Sequence, residues 1–587
     1  MDAIFRSSLS SVLLNGVPGR WIPCKKGLRQ GDPISPYLFL LVADVLQRMI
    51  KSDGGMAHPL LPGAPPLVLQ YADDTLIVLR ADLGAVRRLK GILDDFAAAT
   101  GLVINFHKST VVPMHISAED LQGMVQVLGC QVGSFPQVYL GLPLSNRKLT
   151  LEDFLPLIAK AERYLSGWRA QLLSFGGRLI LLNAVLDALP TYTMAAMELP
   201  PSVLRALDAL RRSFLWTAAE TASGAQCLVA WEKVVRPKNE GGLGVRALPV
   251  QNRSLLLKLV HRLHLQQDSP WGAWVWAELG RSLLTPMAAS ALPGAHWASL
   301  AELMPVYRAL SYVQVGNGRT TAFWLDACLP GGALAWRLPS LFSHATAPEA
   351  SVEQVLSGGI DGGLVPRLNH AGARDRAILL RALEGVTLSE APDERVLCPG
   401  CAKGKLLSSA GVYQLCHFGG LQVPFVVFVW QNFAPTRVRF FAWLLVQARV
   451  QTRDVLLRKH IVNDAGAGCP LCSSPLETAD HLIFGCAFSR RFWRGVGKTS
   501  LEATSVTQLH MLTPPPRVPV ATGSTFLLLC CWQLWKHRNA VVFQGMPPSL
   551  ARLLAACRED AVLWRVRLPR LLMHAADAWL GCLTGAD

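Results

Sequence analysis

The chain has 587 residues, of which 51% are hydrophobic and only 17% are charged, and its 57 Lys and Arg exceed its 41 Asp and Glu for a formal net charge of +16. A chain of this length can bury several cores, so we expect more than one domain. The positive excess favours a polyanionic partner, although a basic surface alone does not distinguish nucleic acid from an anionic membrane.

The apolar segments of the chain predict cores rather than membrane spans. The windows YLFLLVADVLQRMI, FVVFVWQNFA and TFLLLCCWQLW are too short, or too interrupted by polar residues, to cross a bilayer. The first residues, MDAIFRSSLSSVLLNG, lack the cationic start and apolar run of a secretory signal. We therefore expect a reducing intracellular compartment, nucleus or cytoplasm, where the 14 Cys are thiols or metal ligands rather than a disulfide framework.

The first part of the chain predicts the order helix, hairpin, helix, strand. In GLRQGDPISPYLFLLVADVLQRMI, Ser35 is the predicted N-cap and Pro36 the first residue of a buried helix. Apolar runs on both sides of YADD, residues 71–74, predict two buried strands joined by a tight turn. AVRRLKGILDDFAAATG predicts a helix that ends at Gly101, and LVINFHKSTVV predicts a strand with an exposed edge.

Asp73 and Asp74, at the tip of the predicted turn, have two interpretations. Asp is common in turns because its side chain can bond the backbone two residues further on. Two adjacent carboxylates repel one another, however, and a rigid hairpin that keeps them together is what a hard divalent cation requires. The pair alone does not decide between a plain turn and a metal site.

The middle of the chain predicts helices, one hairpin and a linker. LTLEDFLPLIAKAERYLSGW carries a capping signal at Thr150 with Asp153 three residues on, and two further helices follow it. YVQVGNGRTTAFWLD predicts two strands joined at Asn317-Gly318. Residues 330–409 are rich in Gly, Ala and Pro without a sustained period, which predicts loops or a linker and a domain boundary.

The strongest local chemical signal is CPLCSSPLETADHLIFGC. Its Cys469, Cys472, His481 and Cys486 form a Cys-Cys-His-Cys set at spacings that a short turn and helix can span. Zn²⁺ takes four such ligands tetrahedrally, and closed sites of this kind hold small domains together. The alternative is a chance CxxC with ordinary buried thiols, and the spacing of all four residues favours zinc.

Other motifs narrow the field. A second CxxC, Cys398 and Cys401, has only Cys416 and His417 nearby and is interpreted as ordinary thiols. The sequence contains no glycine-rich phosphate loop of the Walker type, no GxGxxG after a strand, no GxSxG elbow and no HExxH helix. The common ATPase, dehydrogenase, hydrolase and metalloprotease interpretations therefore lose support.

Several motifs together resemble one family. GLRQGDPISPYLF, YADD, GLVINFHKS, YLGLPLS, VGNGRTTAFWLD, ETADHLIFGCAFSRRFW and LWKHRNAVVF are similar, in this order and over nearly the whole chain, to the reverse transcriptase region of plant LINE-type, non-LTR retrotransposons. The resemblance implies RNA-directed DNA polymerase chemistry on a right-handed palm, with two Mg²⁺ or Mn²⁺ ions, an RNA template, a DNA primer or duplex and dNTPs as partners.

The resemblance also implies roles for individual residues. Asp73 and Asp74 match the catalytic metal-binding pair, and Tyr71 would lie beside the primer end. The loop Arg29, Gln30, Gly31 and Asp32 would contact the template or the incoming nucleotide. Lys108 would lie near the triphosphate. Arg29 and Lys108 are ordinary surface cations if this correspondence fails.

The implied fold is α+β and multidomain. We predict a partial reverse transcriptase palm over 1–115, a helical thumb-like or connector region over 116–230, a connector with a hairpin and linker over 231–407, a zinc-binding domain over 408–495 and a helical C-terminal region over 496–587.

The resemblance also predicts a defect. The family has a third catalytic Asp in a DFxKAFD-like segment upstream of GLRQGDP, and no such segment precedes Gly27 here; Asp2 falls in a predicted helix and is not assigned that role. We therefore expect an N-terminally truncated region with little or no polymerase activity. The alternatives are a non-catalytic nucleic-acid-binding protein, a zinc-stabilised protein-interaction module, or a remnant without a selected function.

Overall fold

A computed structural model of the chain describes residues 9–24, 27, 31–59, 65–167, 172–219, 222–265, 269–278, 295–501 and 505–584. The chain divides into two compact units, Met1–Lys148 and Leu149–Asp587. No helix in the described ranges is both long enough and apolar enough to cross a membrane. The finer division into five regions stays a prediction.

The first unit combines helices with short strands. Its described helices are Ser35–Ser52, Leu83–Thr100 and Ala118–Leu128. Its described strands are Leu9–Ser10, Leu13–Leu14, Val17–Pro18, Ile22–Pro23, Leu67–Tyr71, Asp74–Val78, Thr110–Val111, Gln131–Val132, Gln137–Tyr139 and Leu142–Leu144. The order helix, hairpin, helix is as predicted.

Two helices cover one face of the hairpin in the first unit. Ile50 from the first helix, Leu89 and Phe96 from the second, and Val68 from the hairpin share one buried core. The side-chain amide of Gln47 also donates to the Val68 carbonyl at 3.0 Å. Side chains alternate between the two faces of a strand, so one face of the hairpin packs on these helices. The contacts on that face hold the hairpin in place.

The predicted boundaries of the first two helices are close to those observed. The helix Leu83–Thr100 ends at Gly101, whose φ of +75° and N–H bond to the Ala97 carbonyl make the left-handed C-cap that the sequence predicts. The first helix begins at Ser35 itself, so Ile34 rather than Ser35 occupies the capping position.

The strand predicted over LVINFHKSTVV is wrong for most of its length. Only Thr110–Val111 is a strand, and it pairs in parallel with Gln131–Val132. The preceding residues curl into a turn because the Asn105 carbonyl accepts the N–H groups of both Lys108 and Ser109 at 3.1 Å. A local turn thus replaces the extended backbone that the apolar residues favoured.

The second unit is mainly helical. Its described α-helices are Leu155–Gly167, Phe175–Leu181, Thr191–Ala196, Pro201–Trp216, Trp231–Val234, Leu248–Leu265, Pro270–Glu278, Ala295–Ala301, Met304–Ala309, Leu334–Arg337, Pro339–Phe342, Val352–Gly358, His370–Leu383, Ser409–Cys416, Val426–Trp430, Thr436–Leu445, Arg453–Arg458, Ala487–Gly495, Val520–Gln544, Leu550–Arg565 and Ala575–Cys582. Its described strands are Ser311–Gln314, Glu394–Leu397, Ala402–Lys403 and Leu406–Leu407.

One large core in the second unit joins segments that are far apart in sequence. Trp443, Trp493, Phe526 and Trp579 are all buried in it. These residues come from both sides of position 495, where the sequence predicts the end of the zinc-binding domain. The helix Val520–Gln544 therefore packs on the predicted zinc-binding region as part of the same core.

The predicted hairpin at Asn317-Gly318 is wrong. Ser311–Gln314 pairs antiparallel with Glu394–Leu397, which lies far along the chain. The loop that follows Gln314 is held by the buried Asp393, whose carboxylate accepts the N–H groups of Gly316 and Gly318 at 2.9 and 2.8 Å. A distant carboxylate thus satisfies the backbone groups that a local partner strand would have used.

The predicted linker over residues 330–409 is also wrong in its local structure. This stretch contains four of the described helices and contributes Leu341, Val352 and Leu379 to a separate hydrophobic core. Arg395 and Asp326 form an ion pair at 2.8 Å in which both side chains are buried. Tertiary contacts therefore order this segment, although its amino-acid composition is typical of loops.

Candidate metal centres and basic cleft

The two adjacent carboxylates lie at the exposed tip of the first unit's hairpin. Tyr71 pairs with Asp74, so Ala72 and Asp73 form a two-residue turn. Ala72 takes a φ of +52°, a left-handed conformation that costs an L-residue energy and that two-residue hairpin turns require. Tyr71 is 66% exposed beside the carboxylates. The turn thus groups Tyr71, Asp73 and Asp74 on one surface.

The GLRQGDP loop is only partly described. Arg29 and Gln30 lie outside the described residues. Gly31 has a φ of +87°, which glycine adopts without strain. The carboxylate of Asp32 accepts the N–H of Ile34 at 3.1 Å, and its carbonyl accepts that of Ser35 at the same distance. Asp32 therefore stabilises the turn that precedes the first helix, which is a local structural role.

Lys108 lies on the turn that replaces the predicted strand. Its side chain is exposed, and its backbone N–H bonds to the carbonyl and the side-chain oxygen of Asn105. Its contact with a triphosphate stays a prediction.

Asp73 and Asp74 gather no third metal ligand within the described part of the chain. Among those residues, only the Cys-His cluster of the second unit brings together the ligand atoms of three or more His, Cys, Asp or Glu side chains. Asp2, the one acid that precedes Gly27, lies outside the described residues. The hairpin therefore offers two carboxylates to a divalent ion.

Cys469, Cys472, His481 and Cys486 come together as the sequence predicts. Their ligand atoms all lie within 4.8 Å of one another, with 3.9 Å between the Sγ atoms of Cys469 and Cys486 and 3.3 Å between Cys472 Sγ and His481 Nε2. Zn–S bonds of about 2.3 Å place tetrahedral ligands roughly 3.8 Å apart. The donor set and its spacing fit Zn²⁺.

Local backbone contacts hold the four ligands in place. The N–H of Cys469 donates to the Ser474 carbonyl at 2.9 Å, which closes the CxxC turn. His481 begins a π-helical turn, His481–Gly485, and Cys486 donates its N–H to the His481 carbonyl. The wider turn brings His481 and Cys486 to the same side of the chain, where both can face the knuckle.

Two thiols of the cluster differ in pKa. The contact between Cys469 Sγ and Cys486 Sγ lowers the pKa of Cys486 to about 5 and raises the pKa of Cys469. One thiolate is thus favoured before a metal binds. Because Zn²⁺ takes cysteine as thiolate, binding would release the remaining thiol protons.

A buried ion pair connects this cluster to the helix Val520–Gln544. Glu477 and Arg538 are both buried, and their side chains are joined by two contacts of 2.7 and 2.5 Å. Glu477 also accepts the N–H of Arg453 at 3.0 Å. On the same helix, Trp535 and Val541 pack against the ligand cluster. The helix Val520–Gln544 therefore forms one wall of the metal site.

The second CxxC remains a pair of thiols in the described structure. The Sγ atoms of Cys398 and Cys401 are 3.0 Å apart. His417, which is close in sequence, instead contacts the Val235 carbonyl through Nε2 at 3.0 Å. Two sulfur atoms alone do not close a tetrahedral zinc site.

A basic cleft opens beside the zinc ligands. It has a volume of about 530 Å³ and is lined by His481, Asp480, Arg490, Arg494 and Lys498, among others. Sequence reasoning did not single out these cations, although the motif AFSRRFWRGVGK after Cys486 carries them. In that motif, aromatic and basic residues recur at helical spacing, a pattern that could have indicated a helix with one buried face and one basic face.

Comparison with known proteins finds a family match within each unit. Residues 2–141 match the family model for reverse transcriptase (RNA-dependent DNA polymerase), and residues 407–493 match the model for the zinc-binding region in reverse transcriptase. A putative ribonuclease H protein of Arabidopsis thaliana is 26% identical over 441 residues, which is 68% of this chain and 66% of that protein.

Two further relatives match shorter parts. A retrovirus-related Pol polyprotein from a type-1 retrotransposable element of Nasonia vitripennis is 33% identical over 90 residues, which is 15% of this chain and 8% of that protein. An uncharacterized mitochondrial protein of Arabidopsis thaliana is 38% identical over 68 residues, 11% of this chain and 56% of that protein. The chain thus spans less than two thirds of these relatives' lengths. As its motifs predicted, the chain contains a region that matches reverse transcriptases, residues 2–141, followed by one that matches the zinc-binding region of reverse transcriptases, residues 407–493.

Proposed function

We propose that the first unit derives from an RNA-directed DNA polymerase and that Asp73 and Asp74 are its catalytic metal ligands. The supporting observation is the exposed hairpin tip, which presents two adjacent carboxylates and Tyr71 inside the region that matches the reverse transcriptase model. A plain turn needs no such pair, and it gains nothing from holding two anions side by side.

In this proposal the chain's own residues place the reactants. Asp73 and Asp74 hold divalent ions, and Tyr71 lies beside the primer end. Divalent ions at such a site supply activation of the primer hydroxyl and neutralise charge that develops at phosphorus. The helices under the hairpin keep the carboxylates fixed, which is what positioning at a reaction centre demands.

We also propose that the 587-residue chain polymerises poorly. The described residues bring no third carboxylate to Asp73 and Asp74. Two carboxylates bind a pair of divalent ions weakly and leave the nucleophile misplaced, and an error of about 1 Å can cost roughly a hundredfold in rate.

Primer extension on an RNA template tests the proposed defect, and any incorporation that it detects also tests the metal ligands. The 587-residue protein is assayed with Mg²⁺ or Mn²⁺ and dNTPs beside Asp73→Asn and, as a matched control, Asp44→Asn, which removes an exposed carboxylate of the same unit that pairs with Arg48. We expect incorporation near background in all three proteins. Clear incorporation that is lost in Asp73→Asn and kept in Asp44→Asn would contradict the proposed defect and support the metal ligands.

A second candidate function is binding of nucleic acid without catalysis. The formal charge of +16 and the basic cleft beside the zinc cluster favour it. Contacts with phosphates would make binding fall steeply with salt and leave it unchanged in Asp73→Asn/Asp74→Asn. A protein that holds zinc but binds no RNA or DNA at low salt would contradict this candidate and favour a protein-interaction module.

A further inference from the structure

The basic cleft of the second unit is built directly onto the zinc ligands. Cys486 ends the ligand cluster, and the helix Ala487–Gly495 begins at the next residue. His481 lies in the cleft wall as well as in the cluster. The position of the cleft is therefore set by the same turn that positions two of the four metal ligands.

That helix separates its apolar and basic residues cleanly. Phe492 and Trp493 are buried in the large core, whereas Arg490 and Arg494 are exposed and line the cleft. Because residues four apart share one face of a helix, the two guanidinium groups point to the same side. The core contacts of the aromatic residues thus fix the direction of both cations.

The described lining of the cleft carries more positive than negative charge. Among the described residues, Arg490, Arg494 and Lys498 line it together with one carboxylate, Asp480. Asp480 already accepts the N–H of Val506 at 2.6 Å, so part of its acceptor capacity is used by the backbone. Neither arginine is in an ion pair among the described residues.

Lys498 also lines the cleft but is withdrawn from its surface. Its side chain is only 6% exposed, and its amine donates to the Thr513 hydroxyl at 2.8 Å. The exposed Arg490 and Arg494 are therefore the cations of the described lining that a ligand can reach.

The aromatic residues around the cleft are not free to stack on a base. Trp493 is 1% exposed and donates its indole N–H to the Ile483 carbonyl at 2.8 Å, and Phe484 is also buried. Sequence-tolerant binding of single strands usually relies on exposed aromatic rings, and specific binding relies on groups that read base edges. The described lining offers cations and no free ring.

We infer that this cleft binds the phosphate backbone of nucleic acid through Arg490 and Arg494, and does so without preference for sequence. The inference rests on the proposed nucleic-acid-binding function and gives it a location. Guanidinium groups suit phosphate because they donate in a planar fork. The volume accommodates a nucleotide-sized group.

The test compares two double variants that remove equal charge. Arg490→Gln/Arg494→Gln changes the cleft, and Arg374→Gln/Arg381→Gln removes two exposed arginines from the helix His370–Leu383 of the same unit. Binding of a fluorescent mixed-sequence RNA and of a duplex DNA is measured across salt. Zinc content and thermal midpoint are measured on each protein to show that the cluster is intact.

We expect the cleft variant to bind roughly ten- to a hundredfold more weakly near 0.15 M salt, and the slope of log K against log salt to fall by about two. The control should change binding by less than about threefold. The loss should be equal for unrelated sequences.

Equal weakening of the two variants would overturn the location while leaving nucleic-acid binding in place. Failure of the unmodified protein to bind either probe would overturn the proposed function and the inference together. Binding of anionic phosphatidylserine vesicles that depends on Arg490 and Arg494, without such dependence for RNA or DNA, would assign the cleft to a membrane surface and overturn the inference.

Discussion

The two candidate metal centres of this chain differ in how the fold supports them. Asp73 and Asp74 lie at the exposed tip of a two-residue turn, and only the inner face of their hairpin is packed. Cys469 and Cys486 are buried, and a helix from the far end of the chain forms a wall around them. The first site offers two carboxylates, whereas the second offers four side chains whose ligand atoms lie within 4.8 Å of one another.

In the proposed roles, the zinc of the Cys-His cluster stabilises the fold, and a metal bound by Asp73 and Asp74 takes part in a reaction. A closed site with four protein ligands completes the tetrahedral coordination of Zn²⁺, and the free energy of metal binding stabilises the folded state. A reaction centre must leave positions open for substrate, so its protein ligands alone bind metal weakly. We therefore expect damage to the zinc cluster to destroy structure and damage to the hairpin tip to leave structure unchanged.

Loss of a zinc ligand should have the largest effect. We expect Cys469→Ser to lose zinc and at least about 5 kcal/mol of the second unit's stability, since structural zinc binding is worth on the order of 10 kcal/mol at neutral pH. Cys416→Ser, at an exposed cysteine outside the cluster, is the control. Thermal unfolding with zinc analysis checks this, and a Cys469→Ser protein that keeps both its zinc and its midpoint would refute the structural role.

Loss of the ion pair behind the cluster should rank second. Glu477→Gln leaves the buried Arg538 without its charge partner, and we expect a cost of about 3–5 kcal/mol. The matched change Glu353→Gln touches the more exposed pair with Arg319 and should cost under about 1 kcal/mol. Urea unfolding of the two variants gives the comparison, and equal costs would contradict the role of Glu477 in bracing the metal site.

A substitution in the hairpin turn should raise the stability of the first unit by a small amount. Ala72→Gly relieves a left-handed residue at a position where hairpin turns favour glycine, and the added chain entropy offsets part of the gain. We expect up to about 1 kcal/mol more stability for the first unit. Gly101→Ala, at the helix C-cap, is the reverse control and should destabilise, as measured by hydrogen exchange within residues 65–101.

Removal of a hairpin carboxylate should have the smallest effect on stability. Asp73→Asn lies on an exposed turn and relieves repulsion with Asp74, so we expect unfolding free energy to stay within about 0.5 kcal/mol of the unmodified protein. A loss of several kcal/mol, seen by the same hydrogen exchange, would show that Asp73 is a structural turn residue and would remove the reason to propose it as a metal ligand.

Local patterns predicted the parts of the fold that local contacts determine. The helix that ends at Gly101, the hairpin around Ala72 and the Cys-His cluster each depend on residues within one short stretch of sequence. Two long-range features escaped prediction. The Asn317-Gly318 loop is built by Asp393, more than seventy residues away, and the cleft acquires its shape from core contacts of Trp493. Periodicity and turn signals carry no information about such distant partners.

Metal binding measured at both centres tests the central contrast most directly. The protein is prepared with zinc, its zinc content is determined, and Mn²⁺ is then titrated while free Mn²⁺ is followed by electron paramagnetic resonance, beside Asp73→Asn. We predict one tightly held zinc per chain and only weak Mn²⁺ binding that diminishes in Asp73→Asn. Tight Mn²⁺ binding that depends on Asp73, or a chain that holds no zinc, would contradict the expected contrast between a tight zinc site and a weak site at the hairpin tip.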